Sequence, residues 1–458
     1  MNTSRELEVP DWIMADGIER VTPVVCDLNG VYRGKRAPHQ SVHKILNGEM
    51  KLPLSTLFLD IWGRDVLQSG LVLEAGDGDG ILYPAVGGAL RQSWCSVGSA
   101  LIPLSMYEQN GDPCDADPRL ALQSVVDAFR KDGLTPVCAM EAEFYLYRLN
   151  GDDTDRAIKG AAPFPRAHTE EFLPQNDLYA IHRLDEVQPI FDDLAVACEK
   201  MDIPLGAVVS EGGAGQFEVN LEHRADAVRA ADDMQLVKTA IRGVAAKHGL
   251  GATFMAKPYG EEAGNGMHAH VSVVDADGRN IFDDGTPKGS DALINAIGGL
   301  QATLLPSMLI FAPHANSYRR LRPETHAPTT ASWGYDNRTT ALRIPSGPSQ
   351  ARRIEHRVAG ADANPYLALA AILGGIRHGL ANRSVPDAPL QGNAYAQSEG
   401  VFVTNWLQSI IDFEEASFVS DMFSKRLIKA FTACKRQELD TLASIVSREE
   451  IDTYLSVV

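Results

Sequence analysis

Several common signatures are missing from this sequence, and each gap narrows its chemistry. The six cysteines (Cys26, Cys95, Cys114, Cys138, Cys198 and Cys434) lie far apart and form no CxxC pair. That spacing leaves neither a disulfide framework nor a zinc ribbon, and free thiols in a reducing cytoplasm are the expectation. No apolar run approaches the roughly 18 residues of a membrane span. The start, Met1-Asn2-Thr3-Ser4-Arg5-Glu6, has no basic region leading into an apolar stretch, so no secretory leader is expected. Basic excess is absent too: 42 Lys and Arg face 60 Asp and Glu, a formal net charge of −18. A phosphate backbone would be repelled, which excludes nucleic acid as a partner, whereas a cationic small substrate is compatible. There is no GxxxxGK[ST] phosphate loop and no protein-kinase signature set, so any nucleotide has to be held by metals and arginines.

What is present is a soluble globular composition, 45% hydrophobic and 22% charged over 458 residues, long enough for two domains. Residues 1–112 read as a small β-rich domain, with apolar runs such as Val21–Cys26 and Leu71–Leu73 broken by glycine. The stretch Gly76-Asp77-Gly78-Asp79-Gly80 lacks the closing glutamate of an EF-hand and reads as a turn. Glu108–Pro118 is rich in Asp, Gly and Pro and marks a linker. The larger domain, 113–458, opens on a helix with Asp117 as N-cap, Pro118 at its first position, a stripe of Leu122, Val125, Val126 and Phe129, and Gly133 as its stop. Asn150–Ala167 is a polar insertion without a period. Helices are expected over 226–249, from Asn364-Pro365 to Gly379, and through the last 40 residues, where Ser447 and Glu450 form a capping box. The fold class is α+β.

Five segments carry the chemistry. Glu141-Ala142-Glu143-Phe144-Tyr145 alternates carboxylates with apolar residues. Gln216-Phe217-Glu218-Val219-Asn220, His268-Ala269-His270-Val271-Ser272, Ala341-Leu342-Arg343-Ile344 and Arg353-Ile354-Glu355-His356-Arg357 repeat the pattern with other polar groups. Successive side chains of a strand point to opposite faces, so each segment can anchor in a core and present charge on its other side. In one sheet they would wall a cavity with carboxylate, imidazole and guanidinium. Like charges placed together on a face are costly unless a cation sits between them. Counting Glu141, Glu143, Glu211, Glu218, Glu355 and His268 gives five hard oxygen donors and one imidazole, a set favouring Mg²⁺ or Mn²⁺ over zinc and sufficient for two ions. Gly212-Gly213-Ala214-Gly215 and Gly264-Asn265-Gly266 allow close backbone approach.

These motifs, in order, resemble the glutamine synthetase family along nearly the whole chain. They include Asp27-Leu28-Asn29-Gly30 with Arg33-Gly34-Lys35, Glu141-Ala142-Glu143-Phe144, Gly215-Gln216-Phe217-Glu218 and Gly266-Met267-His268-Ala269-His270. Asn316-Ser317-Tyr318-Arg319-Arg320, Asn337-Arg338, Arg343-Ile344-Pro345, Arg353-Ile354-Glu355-His356-Arg357 and Asp362-Ala363-Asn364-Pro365-Tyr366 complete the set. The branch it is most similar to ligates glutamate to polyamines and other amines. The resemblance implies a β-grasp-like N-terminal domain and a catalytic domain whose curved antiparallel sheet, flanked by helices, forms a funnel with ATP at the wide end and glutamate at the narrow one. It assigns Glu143, Glu211 and Glu218 to a first metal and Glu141, His268 and Glu355 to a second. Arg320, Arg338 and Arg357 would serve glutamate, with a backbone contact from Gly264. Arg338 and Arg343 would face the transferred phosphoryl group, and His270, Ser272, Arg343 and Arg353 the nucleotide. Asp60 would reach the amine site of a neighbouring subunit in a homo-oligomer, a hexameric ring or a dodecamer of two rings.

One departure bears on the substrate. In the run Arg320-Leu321-Arg322-Pro323-Glu324-Thr325-His326-Ala327-Pro328, His326 stands where glutamine synthetases carry a flap glutamate that helps hold ammonium. The expectation is therefore ATP-dependent ligation of the γ-carboxylate of L-glutamate to putrescine or another alkylamine through γ-glutamyl phosphate. The alternatives are a glutamine synthetase using ammonia and a non-catalytic glutamate or nucleotide sensor.

Overall fold

Alternating apolar residues close two sheets, and the order of their strands decides which polar faces meet. The computed structural model describes residues 9–15, 17–85, 87–148, 177–397 and 405–458; the insertion Asn150–Ala167 lies outside them. Among the described residues, β1 (Arg20–Cys26), β2 (Tyr32–Gly34), β3 (Ala37–Pro38), β4 (Lys51–Pro53), β5 (Asp79–Pro84), β6 (Leu90–Arg91) and β7 (Ser99–Tyr107) form the first sheet. Its order is β2-β1-β7-β5-β4, with β3 on β1 and β6 on β7. The central pair β1 and β7 is parallel, Val21 opposite Ala100 and Val24 opposite Pro103. Strand β7 is buried at every position but its last, as a strand covered on both faces must be. Leu71–Leu73 is not a strand. It is a bend and turn following the short helix Leu67–Ser69, with only Val72 buried, because three apolar residues give no ladder to pair with.

Between the sheets, Pro118–Lys131 is a helix whose N-cap Asp117 accepts from the backbone N–H of Arg119 and Leu120. Its buried stripe is Leu122, Val125, Val126 and Phe129, and Gly133 beyond its end adopts a left-handed φ of 73°. A second carboxylate oxygen of Asp117 accepts from Met106 N–H of β7 at 2.8 Å, so the cap also ties the helix to the first sheet.

The second sheet comprises β8 (Thr135–Arg148), β9 (Leu205–Ser210), β10 (Gln216–Leu221), β11 (Leu250–Thr253), β12 (Met267–Val274), β13 (Trp333–Tyr335), β14 (Leu342–Ile344) and β15 (Ile354–His356). The order is β13-β14-β15-β12-β8-β10-β9, with β11 on β8. Its pairings are antiparallel except β13 with β14 at the edge, which is parallel. From Thr135 to Phe144 the burial along β8 alternates: Met140, Ala142 and Phe144 enter the core while Glu141 and Glu143 stay half-buried on the other face. Residues of both sheets, among them Val21, Ile102, Ala142 and Val219, belong to one continuous hydrophobic core.

Helices Ala227–Lys247, Asp291–Leu304 and Pro365–Asn382 pack behind the second sheet or on one another. The last begins at Asn364 as expected but runs through Gly379 to Asn382, where Arg383 in the left-handed region ends it. Gly379 is a packing residue: a Cβ there would lie 2.9 Å from Gly299 Cα and 2.1 Å from the Asn295 carbonyl, so two helix backbones cross at this point. The helical run Asp291–Phe311 has the length and composition of a membrane span, yet 67% of its most apolar stretch is buried inside the protein. The C-terminal helices Lys425–Ala443 and Arg448–Tyr454 follow, the latter with the capping box Ser447–Glu450.

Candidate active site

All five polar-faced segments lie in the second sheet, and its register sets their side chains in a row. Glu143 lies opposite Glu218 and Glu141 opposite Asn220. On its other side Glu141 pairs with His268. Further along, His270 is opposite Glu355, and Glu355 opposite Arg343. Cross-strand partners on one face approach within about 5.5 Å, so five strands bring carboxylates, imidazoles and a guanidinium to one surface. Each is anchored from behind by Ala142, Phe217, Val219, Ala269, Val271, Leu342 or Ile354, all buried.

Contacts on this face divide it. His268 Nδ1 lies 2.7 Å from Glu141 Oε1, and His270 Nε2 lies 3.4 Å from Glu141 Oε2. Burial raises the Glu141 carboxyl, but His268 and then His270 outweigh it and hold the group well below its usual range. Glu355 is bracketed by Arg343, at 2.7 Å, and by Arg357. Burial pushes it upward, and Arg357 with the two histidines brings it to about 2. Glu218 differs: burial, then Glu141, Glu143 and Glu211, push it up to about 9. Burial and then Glu143 raise Glu211 to about 7. Glu143 accepts from Gly266 N–H at 2.6 Å.

The ligand atoms of Glu141, His270 and Glu355 lie within 4.8 Å of one another, as do those of Glu141, Glu218 and His268. These groups could hold a divalent ion, and the donor set suits a hard cation, as does the crowding at Glu211 and Glu218, which a cation would relieve. The grouping differs from the expected one in a specific way. Glu141 belongs to both groups, His270 joins Glu355, and His268 sits with Glu218, because the two imidazoles straddle the Glu141 carboxylate.

On one flank opens a cavity of about 950 Å³ lined by Glu141, His270, Ser272 and Arg353. Arg353 Nε lies 3.3 Å from His270 Nδ1. Its apolar lining includes Val137, Ala139 and Val274, and His223, Asn280 and Gln350 add polar groups. The sequence reading missed His223 and Asn280. His223 follows β10 by two residues, and only the fold turns it into this cavity.

On the opposite flank Arg320 is buried, donating to the carbonyl of Val358 at 2.9 Å and of Arg357 at 3.3 Å. A Cβ on Gly266 would fall 2.6 Å from Arg320 Nη2 and 2.9 Å from His268 Nε2, so a side chain here would displace one of them. The Gly264 carbonyl accepts from Gln216 Nε2 at 3.0 Å, and the same nitrogen donates to Asn265 Oδ1 at 2.9 Å. Gln216 also accepts from Gly213 N–H at 3.1 Å. It therefore pins both glycine loops, a positioning role the sequence reading did not give it. Arg338 is exposed on the turn before β14 and lies within electrostatic range of Glu211.

The sequence profile of the glutamine synthetase catalytic domain matches residues 115–454. The chain belongs to the glutamine synthetase family. Within that family it is similar to the gamma-glutamylputrescine synthetase PuuA of Escherichia coli, 36% identical over 95% of this chain and 91% of that protein. It is also similar to the glutamate–isopropylamine ligase of a Pseudomonas species, 30% identical over 100% of this chain and 99% of that protein. Among solved structures, a GmaS complex with ADP superposes with a TM-score of 0.84, covering 98% of this chain and 99% of that one at 24% identity, a likeness of fold.

Two of the residues singled out through the family resemblance lie away from the row. Asp60 has its carboxylate fully engaged by its own turn and by Gln437. It accepts from Trp62 N–H at 3.0 Å, Arg64 N–H at 2.9 Å, Arg64 Nε at 2.7 Å and Gln437 Nε2 at 2.8 Å. Within this chain it is the aspartate of a tight turn with no lone pair left over. His326 is exposed on the loop after Arg320, at a left-handed φ of 57°, two residues after Glu324 at 65°.

Proposed function

We propose that this protein is an ATP-dependent glutamate–amine ligase that makes γ-glutamyl phosphate and passes the glutamyl group to an alkylamine or polyamine such as putrescine. One observation carries the reading. The row from Glu218 through Glu143, Glu141, His268, His270 and Glu355 to Arg343 is continuous across five strands, in a family whose relatives named above include two glutamate–amine ligases.

In this reading the 950 Å³ cavity beside His270, Ser272 and Arg353 takes the nucleotide, and Arg320 and Arg357 take glutamate with the Gly264 loop. Glu143, Glu211, Glu218, Glu141, His268, His270 and Glu355 would hold Mg²⁺ or Mn²⁺, whose chemistry when bound is to neutralise charge on the phosphates. The γ-carboxylate oxygen of glutamate attacks the γ-phosphorus and ADP leaves. Arg343, and Arg338 from the neighbouring turn, face the charge that develops on the transferring group. An amine with a free lone pair then attacks the acyl carbon, phosphate departs and the surplus proton goes to a base on the loop carrying Glu324 and His326. Alkylamines are mostly protonated near neutrality, so a carboxylate or imidazole there has both to attract and to deprotonate them.

We also take residues 1–112 as an N-terminal β-grasp-like domain, its core continuous with that of the second sheet, and a closed ring of subunits as the assembly. Exposed Ile61 and Trp62 beside the Asp60 turn support it.

The test is ADP and phosphate release with ATP, glutamate, Mg²⁺ and a panel of amines including ammonia. At least one alkylamine or diamine is expected to exceed ammonia in kcat/KM by more than about tenfold, the scale of one charge-assisted contact. Glutamine formed as efficiently as any γ-glutamylamide would make this a glutamine synthetase, and no ADP formation with any acceptor would leave a sensor.

A further inference from the structure

The loop 321–328 follows Arg320 directly and is fastened at both ends. Thr325 Oγ1 donates to the carbonyls of Arg320, at 3.1 Å, and Arg322, at 2.7 Å. At the far end the Ala327 carbonyl accepts from Tyr395 Oη at 3.0 Å. Glu324 lies inside the first fastening and His326 between the two, both non-glycine residues in the left-handed region. Such a conformation is strained and persists only where the surroundings impose it.

Tyr395 does more than cap one carbonyl. Its phenol is half-buried, and the guanidiniums of Arg357 and Arg320 lie within electrostatic range of it. The segment that carries it is also tied to the turn bearing Arg338. Asn337 Nδ2 donates to the Gly392 carbonyl at 2.9 Å, and Ala394 N–H donates to Thr339 Oγ1 at 3.0 Å. Leu390 N–H reaches the Trp333 carbonyl at 2.8 Å. A single short segment, 390–395, therefore joins the His326 loop, the Arg320–Arg357 pair and the Arg338 turn. Nothing in the metal or nucleotide chemistry requires it.

We infer that Tyr395 is a positioning residue that latches the His326 loop over the Arg320–Arg357 end of the site, so that the amine and not water meets the acyl phosphate. The inference rests on the ligase reading above. Without the latch, water attacks the γ-acyl carbon, the bond from that carbon to the phosphate oxygen breaks, and one proton passes to solvent. Glutamate is regenerated and inorganic phosphate released, so ATP is spent without amide being made.

Full-length wild type and Tyr395→Phe, with matching thermal melting profiles as the check on folding, are assayed with Mg²⁺, ATP, glutamate and putrescine. ADP and γ-glutamylputrescine are measured in the same samples, and ADP also without amine. Wild type is expected to give close to one amide per ADP. The loss of one neutral hydrogen bond in Tyr395→Phe is expected to raise amine-independent ADP formation about three- to tenfold and lower the amide-to-ADP ratio correspondingly. A merely structural loss would reduce both products in proportion and leave the ratio at the wild-type value. An unchanged ratio in Tyr395→Phe overturns the latch while the ligase reading stands. Absence of any γ-glutamylamide from wild type, with putrescine or the wider amine panel, overturns the ligase reading and the latch with it.

Discussion

Two parts of this molecule draw carboxylates away from solvent and treat them oppositely. Where the C-terminal helix Lys425–Ala443 meets the first sheet, Glu438 is 1% exposed and saturated. Lys435 Nζ donates to it at 2.8 Å, Ile61 N–H at 2.8 Å and Asn29 Nδ2 at 3.3 Å. Burial drives its carboxyl upward, and Lys435 and His314 bring it to about 2. Nearby, burial raises Asp60, and its hydrogen bonds from Arg64 and Gln437 leave the carboxyl below its usual value. On the second sheet Glu218 has one hydrogen-bonded side-chain partner, Asn220 Nδ2 at 3.0 Å, and three carboxylate neighbours. The joint is a finished network, whereas the sheet face lacks positive charge where its strands concentrate negative charge. Residue type alone does not separate structure from site. The balance of partners does.

That contrast is most sharply tested at Glu218. Glu218→Gln is expected to abolish turnover, measured as ADP formation, because it removes a donor from the proposed ion-binding group. It should not destabilise the metal-free protein. The sign follows from the pKa: folded Glu218 is raised from 4.5 to about 9, so its contribution is fully present below about pH 4.5 and lost as pH rises toward 9. In chelator the wild-type melting temperature should therefore fall across that window. Glu218→Gln should flatten the fall, and Mg²⁺ or Mn²⁺ should restore the wild type by about 2.7 kcal/mol at a hundredfold excess over Kd. A variant that keeps wild-type turnover would break the comparison.

Next in size, Arg343→Ala should reduce kcat on the scale of roughly 10³, as loss of an arginine facing a transferred phosphoryl group does. Pre-steady-state ADP formation reads it, and an effect confined to the amine KM would reassign the residue. At the joint the pattern should invert. Glu438→Ala leaves the Lys435 ammonium buried and unpaired, at a cost of about 3–5 kcal/mol in chemical denaturation. The enzyme that remains folded should keep its KM values. The smallest effect concerns selectivity: His326→Glu should move the ratio of alkylamine to ammonia kcat/KM back toward ammonia by about tenfold. Competition between the two acceptors, followed by mass spectrometry, measures it directly.

Much of this was readable in one dimension because it is local. Period-two alternation puts Glu141 and Glu143 on one face whatever their neighbours, and the Asp117-Pro118 and Asn364-Pro365 caps start their helices by contacts within three residues. The same locality misled where a local signal had a distant cause. Gly379 has the look of a helix stop, yet it is small because Gly299 of another helix lies against it. Leu71–Leu73 has the composition of a strand and no partner to pair with.

By itself the sequence determined the faces: which side chains of each strand face the core, which residue types stand opposite them, and where the helices begin. Those outcomes depend on backbone geometry and on neighbours a few residues away. Tertiary structure alone decided the order β14-β15-β12-β8-β10, and with it that Glu141 is shared between two imidazoles. It also decided that the Asp60 carboxylate is consumed by its own turn and by Gln437, 377 residues away, and that Tyr395 meets Ala327 across 68 residues. These are contacts whose energy depends on which distant segments the collapsed core brings together, and no spacing along the chain encodes them.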